Sequence, residues 1–247
     1  MTRASDLGVT LILWTYFTVG FVLFFLVFYL LAYLFARDYE TAFQRLNHIF
    51  YKGFLGLVKL LIPRHSWRIN ENVMALRSSV IICNHVSYLD PLIMIALFSR
   101  HKTIVKAKFF KTPIFGWFLK NSGYIPAASE GPFSQMMIEQ VTNLQRFLTK
   151  GGNLFVFPEG TRRRDGQAAL FNKGALKLAR LCQAPIHVLQ ISNTDVLFPP
   201  GRFLFNNRVR NRVRVDLCGT VNAGSEERPV SVSEMMNRVQ TLLATQH

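Results

Sequence analysis

The sequence predicts an α/β fold, in which a mixed, mostly parallel sheet is flanked by helices and preceded by a membrane helix and a second amphipathic helix. Three observations predict this class. Short apolar runs alternate with helical patterns after Pro63. No charged residue occurs from Leu7 to Ala36, and apolar and basic residues mix over 43–62. We therefore divide the chain into a membrane-anchoring helical segment, 1–62, and a second domain, 63–247.

The uncharged stretch is long enough to cross a bilayer. A spanning helix needs roughly 20 apolar residues, and the run from Leu7 to Ala36 exceeds that length. A cleavable signal peptide would have a core of about 7–15 apolar residues followed by small residues. Phe and Leu dominate this longer run, so the pattern predicts a retained membrane helix.

The segment 43–62 has an apolar face interrupted by Arg45, Lys52 and Lys59, and Pro63 ends it. Such a helix suits the membrane interface. An ordinary amphipathic helix packed on the following domain explains the pattern equally well, and both interpretations stay open.

Positive charge is concentrated after the membrane helix. Lys and Arg number 29 against 14 Asp and Glu, a net charge of +15, and Arg3 cancels Asp6 before residue 36. A basic domain beside a membrane helix predicts attraction to an anionic bilayer surface and to phosphorylated substrates, and it favours the cytoplasmic face. The sequence lacks a zinc pattern, a helix-turn-helix signal and an aromatic RNA-binding motif, so no nucleic acid partner is expected.

The first elements after Pro63 follow from local patterns. The run 79–83 is apolar at successive positions, as buried parallel strands are. Asp90 at the N-cap and Pro91 after it predict a helix to Phe98. A strand over 103–105, an aromatic helix over 113–120 and a strand at 124–125 follow.

The second half alternates in the same way. Apolar residues at helical spacing predict a helix over 132–150, which a Gly-Gly pair ends. The pattern then predicts strands over 153–157, 186–191 and 209–217, with a helix over 173–182. Ser231 and Glu234 form a capping box that starts a last helix, to about residue 244.

The first candidate motif lies where the strand 79–83 ends. His85 is followed five residues later by Asp90, and these positions would lie about 140° apart on a helix. The two side chains can therefore pair only if His85 lies in a loop before the helix. An imidazole with one nitrogen held by a carboxylate can take a proton from an alcohol with the other. The alternative is that Asp90 only caps the helix and His85 is an ordinary loop residue.

The second motif follows the strand 153–157. Pro158 and Gly160 shape a tight turn after it, and strand ends of α/β sheets are where ligands bind. The Arg162 guanidinium suits phosphate, and Glu159 can accept a hydrogen bond from a glycerol hydroxyl. A local ion pair between Glu159 and Arg162 is the alternative.

In this order, the two motifs resemble the HxxxxD and FPEGTR blocks of the glycerolipid acyltransferase family. The resemblance extends from about residue 65 to 220. It includes a middle block and an FxxG stretch, carried by Lys106, Pro113, Gly116, Gly123, Phe171, Lys173 and Gly174.

The resemblance implies that the chain is an O-acyltransferase in which His85 is the catalytic base and Asp90 its partner. It implies a substrate-binding set made of Glu159, Gly160, Thr161, Arg162, Lys106 and Lys173. Acyl-CoA or acyl carrier protein would donate the acyl group to the free hydroxyl of 1-acylglycerol 3-phosphate, forming phosphatidate in phospholipid synthesis. Neither a metal nor a further cofactor is implied.

Two departures from the family pattern bear on the acceptor. Lys108 stands where the middle block usually has Glu, and Ser129 stands where it usually closes with Arg. Another lysolipid acceptor therefore stays an alternative. From a different class, the alternative is a catalytically silent basic domain that binds membranes, although both blocks are complete. A serine hydrolase would need a GxSxG elbow, which the sequence does not contain.

The last basic feature is an alternating stripe of arginines. At a period of two, they would share one face of a strand: Arg208, Arg210, Arg212 and Arg214. The stripe predicts either a charged sheet edge that resists aggregation or a contact surface for anionic lipid or an acidic carrier protein. His187 alternates into a buried strand and is expected to be structural.

Overall fold

The computed structural model describes residues 2–128, 130–158, 173–223 and 230–244. A π-helical stretch, Tyr16–Phe25, separates the first two α-helices, and a 3-10 turn, Ala107–Lys111, follows the third strand. The strands are β1 His65–Ile69, β2 Ser79–Cys83, β3 His101–Lys106, β4 Ile125–Ala127, β5 Asn153–Val156, β6 Ile186–Ser192 and β7 Asn211–Val221. The helices are α1 Thr2–Thr15, α2 Leu26–Phe35, α3 Tyr39–Leu61, α4 Glu71–Met74, α5 Leu89–Leu97, α6 Phe115–Asn121, α7 Ser134–Thr142, α8 Leu144–Thr149, α9 Gly174–Leu181, α10 Thr194–Leu197 and α11 Val232–Ala244.

The seven strands form one sheet in the order β1-β7-β6-β2-β5-β3-β4, which confirms the predicted mixed, mostly parallel α/β class. Strand β2 runs parallel to both of its neighbours, β5 and β6. All five of its residues are buried, because a central strand has helices over both faces and needs apolar side chains on both.

Two compact units divide the chain. The first comprises 1–74, 85–99 and 191–216, and the second comprises 75–84, 100–190 and 217–247. Strands β6 and β7 contribute residues to both. In the second unit, apolar side chains of β2, β5 and β6 pack with α8, α9 and α11 in one core.

The predicted N-terminal helix is present and begins earlier than expected. The helical run Ala4–Phe35 has 32 residues and a mean hydropathy of 2.4, so its length and composition allow it to cross a membrane. Only 6% of its most apolar window is buried, unlike the core helix of a soluble protein.

Helix α3, the predicted amphipathic helix, packs by its apolar face. The hydroxyl of Tyr29 donates to Asn47 Oδ1 over 2.6 Å, and the carbonyl of Phe50 accepts from the Tyr16 hydroxyl over 2.9 Å. His48 Nδ1 lies 3.2 Å from the carbonyl oxygen of Ile95 in α5. The helix therefore packs on other parts of the first unit, while Leu60 on its outer side is exposed.

Several predicted boundaries were wrong. The helix expected over 132–150 is two helices, α7 and α8, which meet at Asn143. Helix α5 begins at Leu89, so Asp90 lies within its first turn and does not form the N-cap. Strand β1 and helices α4 and α10 were not predicted, because they are short and have no clear apolar period.

The arginine stripe was also predicted incorrectly. Strand β7 begins at Asn211, so Arg208 and Arg210 precede it and only Arg212 and Arg214 lie within it. Strand β7 is not a sheet edge either, because β1 pairs with it on its outer side. The pairing of β1 with β7 was not predicted, because β1, His-Ser-Trp-Arg-Ile, lacks a clear strand pattern.

Candidate active site

The site begins where β2 ends. After Cys83, the last residue of the strand, Asn84 leads into a short loop that carries His85 and Ser87 to the start of α5. The loop turns because Asp90 N–H donates to the Ser87 carbonyl over 3.2 Å, and Leu89 N–H donates to Ser87 Oγ over 3.3 Å. This strand, loop and helix sequence is the arrangement that pairing of His85 with Asp90 requires.

The structure brings His85 and Asp90 together. His85 Nδ1 lies 2.9 Å from Asp90 Oδ2, and the side chain of His85 is 15% exposed while that of Asp90 is completely buried. Asp90 Oδ2 also accepts the backbone N–H groups of Val86 and Ser87, each over 2.7 Å. The carboxylate thus closes the loop upon itself and holds one edge of the imidazole.

These contacts assign the tautomer of His85. Backbone N–H groups can only donate, so Asp90 Oδ2 acts as an acceptor, and the nearby Nδ1 carries the proton that it shares with Oδ2. The basic lone pair of the neutral ring is then on Nε2. An imidazole held in this way has the geometry of a general base.

The other oxygen of Asp90 is held by a residue that the sequence did not indicate. The hydroxyl of Thr194 donates to Asp90 Oδ1 over 2.6 Å, and Thr194 is completely buried. With this bond, the buried carboxylate accepts from four donors, which offset the cost of removing a charge from water. Thr194 lies 104 residues beyond Asp90 in no recognisable motif.

The backbone before Thr194 is unusual. Asn193 has a φ of 65°, in the left-handed region, which Asn tolerates better than most residues. Its side chain donates to the carbonyl of Arg212 over 2.9 Å, and its own carbonyl accepts from Asn211 Nδ2 over 2.8 Å. These two bonds fix the turn that aims Thr194 at Asp90. An Asn directly after a strand was the available sequence signal.

Ser87 gives the loop a second attachment to the same segment. Its hydroxyl donates to the carbonyl of Phe198 over 3.0 Å, and the residue is completely buried. Residues 194–198 therefore hold both the carboxylate and the loop that precedes it. Like Thr194, Ser87 was not identified as functional from the sequence.

The carboxyl ends of strands β2, β5 and β3 lie on the same side of the second unit. Ile82 of β2 pairs with Val156 of β5, and His101 of β3 pairs with Asn153, all in parallel. The chain that follows β5 therefore leaves the sheet at the same edge as the chain that follows β2. Lys106 ends β3 at this edge and is exposed, and Lys173 is exposed just before α9.

Most of the second motif lies outside the described residues. The described residues reach Pro158 and begin again at Lys173, and Ser129 also lies outside them. The geometry of Glu159, Gly160, Thr161 and Arg162 is therefore not given, and their predicted roles stay predictions.

His187, which was expected to be structural, and possible metal ligands are the other candidates. His187 Nδ1 lies 2.9 Å from Thr220 Oγ1, and burial lowers the pKa of this imidazole. Within the part of the chain that the structure describes, no group of three His, Cys, Asp or Glu side chains could hold a metal ion.

The chain is similar to a known protein family and to several proteins of that family. The sequence pattern of the acyltransferase family matches residues 65–192, a little over half of the chain. The chloroplastic 1-acyl-sn-glycerol-3-phosphate acyltransferase BAT2 of Brassica napus is 29% identical over 163 residues, which are 65% of this chain and 47% of that protein. A Saccharomyces cerevisiae protein named 1-acyl-sn-glycerol-3-phosphate acyltransferase is 28% identical over 158 residues, 62% of this chain and 51% of that one. The chain thus spans about half the length of these relatives.

The fold is shared with a solved structure. The crystal structure of the 1-acyl-sn-glycerophosphate acyltransferase PlsC from Thermotoga maritima aligns with a TM-score of 0.72, covering 99% of this chain and 95% of that one. The two sequences are 22% identical, so this likeness describes the fold alone.

Proposed function

Because the chain belongs to the acyltransferase family, we propose that it transfers a fatty acyl group from a thioester to the free hydroxyl of 1-acylglycerol 3-phosphate, forming phosphatidate. The observation that carries the proposal is the His85–Asp90 pair, with 2.9 Å between Nδ1 and Oδ2 and four donors on one buried carboxylate. The names of the similar proteins support the choice of acceptor.

In this reaction His85 acts as the general base. Nε2 takes the proton of the acceptor hydroxyl while the hydroxyl oxygen forms a bond to the thioester carbonyl carbon. When the tetrahedral intermediate collapses, the C–S bond breaks and the leaving thiolate takes the proton from the imidazolium, so that free thiol and the neutral imidazole result. Asp90 keeps the ring oriented and stabilises the positive charge that it carries between the two steps. No acyl-enzyme is needed.

The acceptor and the donor use different parts of the chain. Arg162 binds the phosphate, Glu159 orients the glycerol hydroxyl, and Gly160 and Thr161 shape the turn between them. Lys106 and Lys173 add positive charge for phosphorylated groups. The acyl donor is acyl-CoA or acyl carrier protein, and the chemistry requires neither a metal nor a further cofactor.

The enzyme works at a membrane. Residues 1–62 anchor the chain, with the apolar helical run Ala4–Phe35 in the bilayer, and 63–247 form the acyltransferase domain. The domain lies on the cytoplasmic face, where its positive charge meets anionic lipid.

The test is His85→Ala in the full-length protein, purified in detergent. Release of free thiol from each donor, with 1-acylglycerol 3-phosphate present, should fall by about 10²–10⁴-fold, the usual contribution of a general base. His187→Ala is the matched control, because it removes a histidine that the mechanism does not use, and it should keep near-normal turnover. A folded His85→Ala protein with the activity of the control would contradict the mechanism.

The same assay should include other lysolipids. Ser129 stands where the family pattern usually has an arginine, so a phosphate ligand of the usual kind is absent from the sequence there. If another lysolipid is used with a higher kcat/KM than 1-acylglycerol 3-phosphate, the acceptor is that lipid, and the role of His85 is unchanged.

A further inference from the structure

Strands β1 and β7, the last two strands on one side of the sheet, share one basic face. In register, Ser66 lies opposite Arg212 and Arg68 lies opposite Arg214. These four residues are exposed, while alternate residues such as Val213 and Val215 are buried. We call this exposed face, with Arg64 and Arg210 at its beginning, the arginine ribbon.

An open groove lies at the start of the arginine ribbon. Its volume is about 640 Å³, and its lining consists of Pro63, Arg64, Ser66, Arg210, Asn211 and Arg212. Three guanidinium groups thus surround one concave surface, and such groups suit carboxylate and phosphate because their N–H donors lie in a fixed fork.

The arginine ribbon holds more positive charge than its own acids can balance. Within the two strands, Asp216 is the one carboxylate, and its Oδ2 lies 3.9 Å from Arg214 Nε, at the outer limit of an ion pair. Like charges directly opposite each other on neighbouring strands are destabilising. The facing Arg68 and Arg214 therefore cost the isolated protein some stability, which an anionic partner would recover.

The residue types favour a protein partner. Where charge on an edge strand serves only to prevent aggregation, the charged residue is usually lysine. In protein interfaces, by contrast, arginine is enriched and lysine is depleted. Apart from the buried His65, all the basic residues of β1 and β7, and of the segment 208–210 before β7, are arginines. Surfaces that lie on a bilayer combine positive charge with inserted apolar side chains. Neither strand exposes a large apolar side chain, and the segment 208–210 exposes one, Val209. Most exposed apolar residues of the first unit instead lie on the helical run Ala4–Phe35.

The groove is connected to the candidate active site within the first unit. Asn211, which lines the groove, donates from Nδ2 to the carbonyl of Asn193 over 2.8 Å. The next residue, Thr194, donates to Asp90. A donor held on the arginine ribbon is therefore beside the segment that supports the catalytic pair.

From these observations, and resting on the acyl transfer proposed above, we infer that the arginine ribbon docks an acidic acyl carrier protein. Its carboxylates pair with the guanidinium groups of the ribbon and groove, and its thioester arm extends from the groove toward His85. This assigns a partner to a surface that the acyl-transfer chemistry itself does not use.

The test uses the double variant Arg68→Gln/Arg214→Gln in the full-length protein. It removes the facing like charges, so the fold should lose no stability. With acyl carrier protein as donor, kcat/KM should fall roughly tenfold through KM, whereas with acyl-CoA of the same chain length it should change less than about twofold. A second variant, Arg64→Gln/Arg210→Gln, should act similarly. The matched control is Arg146→Gln/Arg180→Gln, which removes two exposed arginines from the second unit.

Binding of the carrier protein is measured separately by fluorescence anisotropy, so the inference can be judged even if no acceptor is turned over. Weaker binding by both ribbon variants, with normal binding by the control, supports the inference. Equal losses with both donors would overturn it in favour of a site for the phosphate groups of the donor. Reduced binding to vesicles with anionic lipid, with normal binding of carrier protein, would overturn it in favour of the bilayer. Unchanged binding of both would show that the ribbon is a solvated face.

Discussion

The residue that most directly tests the geometry of the candidate site is Thr194. Replacement by valine keeps the side-chain shape and removes the hydroxyl that lies 2.6 Å from Asp90 Oδ1. Both residues are completely buried, so bulk water cannot donate a hydrogen bond to Oδ1 in place of the lost hydroxyl. Asp90 Oδ2 would keep its bonds to Val86 and Ser87, but Oδ1 would lose the support of the hydroxyl.

The loss of stability and of activity can be worked out from this one missing hydrogen bond. A hydrogen bond to a charged group contributes roughly 1.5–3 kcal/mol, which for a chain of this size lowers the Tm by roughly 3–12 °C. Because Asp90 also orients His85, part of the loss should appear in catalysis. We expect kcat to fall by up to about tenfold, equivalent to about 1.4 kcal/mol, with the KM of both substrates unchanged.

The assay compares thiol release and thermal unfolding for wild type, Thr194→Val and Thr194→Ser. Serine keeps the donor and loses only a methyl group, so Thr194→Ser should keep kcat while losing some stability. If valine and serine lower kcat equally, the hydroxyl does not position Asp90. Normal Tm and kcat in Thr194→Val would refute the reasoning entirely.

Three further predictions concern other parts of the chain. Arg162→Ala should raise the KM for a phosphorylated acceptor by roughly 10- to 150-fold, which corresponds to the loss of one charge-assisted hydrogen bond. Acceptor and donor are titrated separately, and a rise in the donor KM alone would show that Arg162 binds the donor and not the acceptor phosphate. The full-length protein should remain in the membrane fraction through high-salt washes and need detergent for release, because the helical run Ala4–Phe35 is apolar, whereas release by salt alone would show a peripheral association. Burial lowers the pKa of His65 and of His187 from 6.5, so the unfolded chain binds more protons below about pH 6.5, and stability should fall as the pH decreases. Comparing the Tm at pH 7.5 and 5.5 measures this loss of stability, which should be smaller in His187→Gln. An equal Tm at both pH values would show that these histidines are readily protonated in the folded protein.

Strong local patterns allowed much of the fold to be predicted. Strand β2 has the predicted bounds, since four successive apolar residues after Ser79 are typical of a short strand buried on both faces. Helix α11 starts as its capping box indicated, with Glu234 N–H donating to Ser231 Oγ over 3.1 Å. Strand β1 was missed because its pairing partner is 146 residues away, and its own composition shows little alternation.

Of the candidate site, the pairing of His85 with Asp90 was predictable from the sequence, whereas the roles predicted for Glu159, Gly160, Thr161 and Arg162 stay predictions. A spacing of five residues between His85 and Asp90 leaves one way to pair them, through a loop before a helix, and the structure has that loop. The support from Thr194 could not be predicted, because threonine is common and nothing local to residue 194 refers to residue 90. Contacts between distant parts of a chain depend on the packing of whole elements, and a single sequence does not contain that information explicitly.

The separation between Asp90 and Thr194 also affects how the site forms during synthesis. At about 5–20 residues per second, the ribosome needs roughly 5–20 s to add the 104 residues that follow Asp90, up to and including Thr194. Throughout that interval the nascent chain contains the histidine and its carboxylate but not the hydroxyl, and α1 lacks Phe205, whose N–H donates to Thr10 Oγ1 over 2.9 Å. A site completed by one of the later segments to be translated cannot reach its final geometry while most of the chain is still unfolded, so a truncated product would carry the motif without a supported catalytic pair.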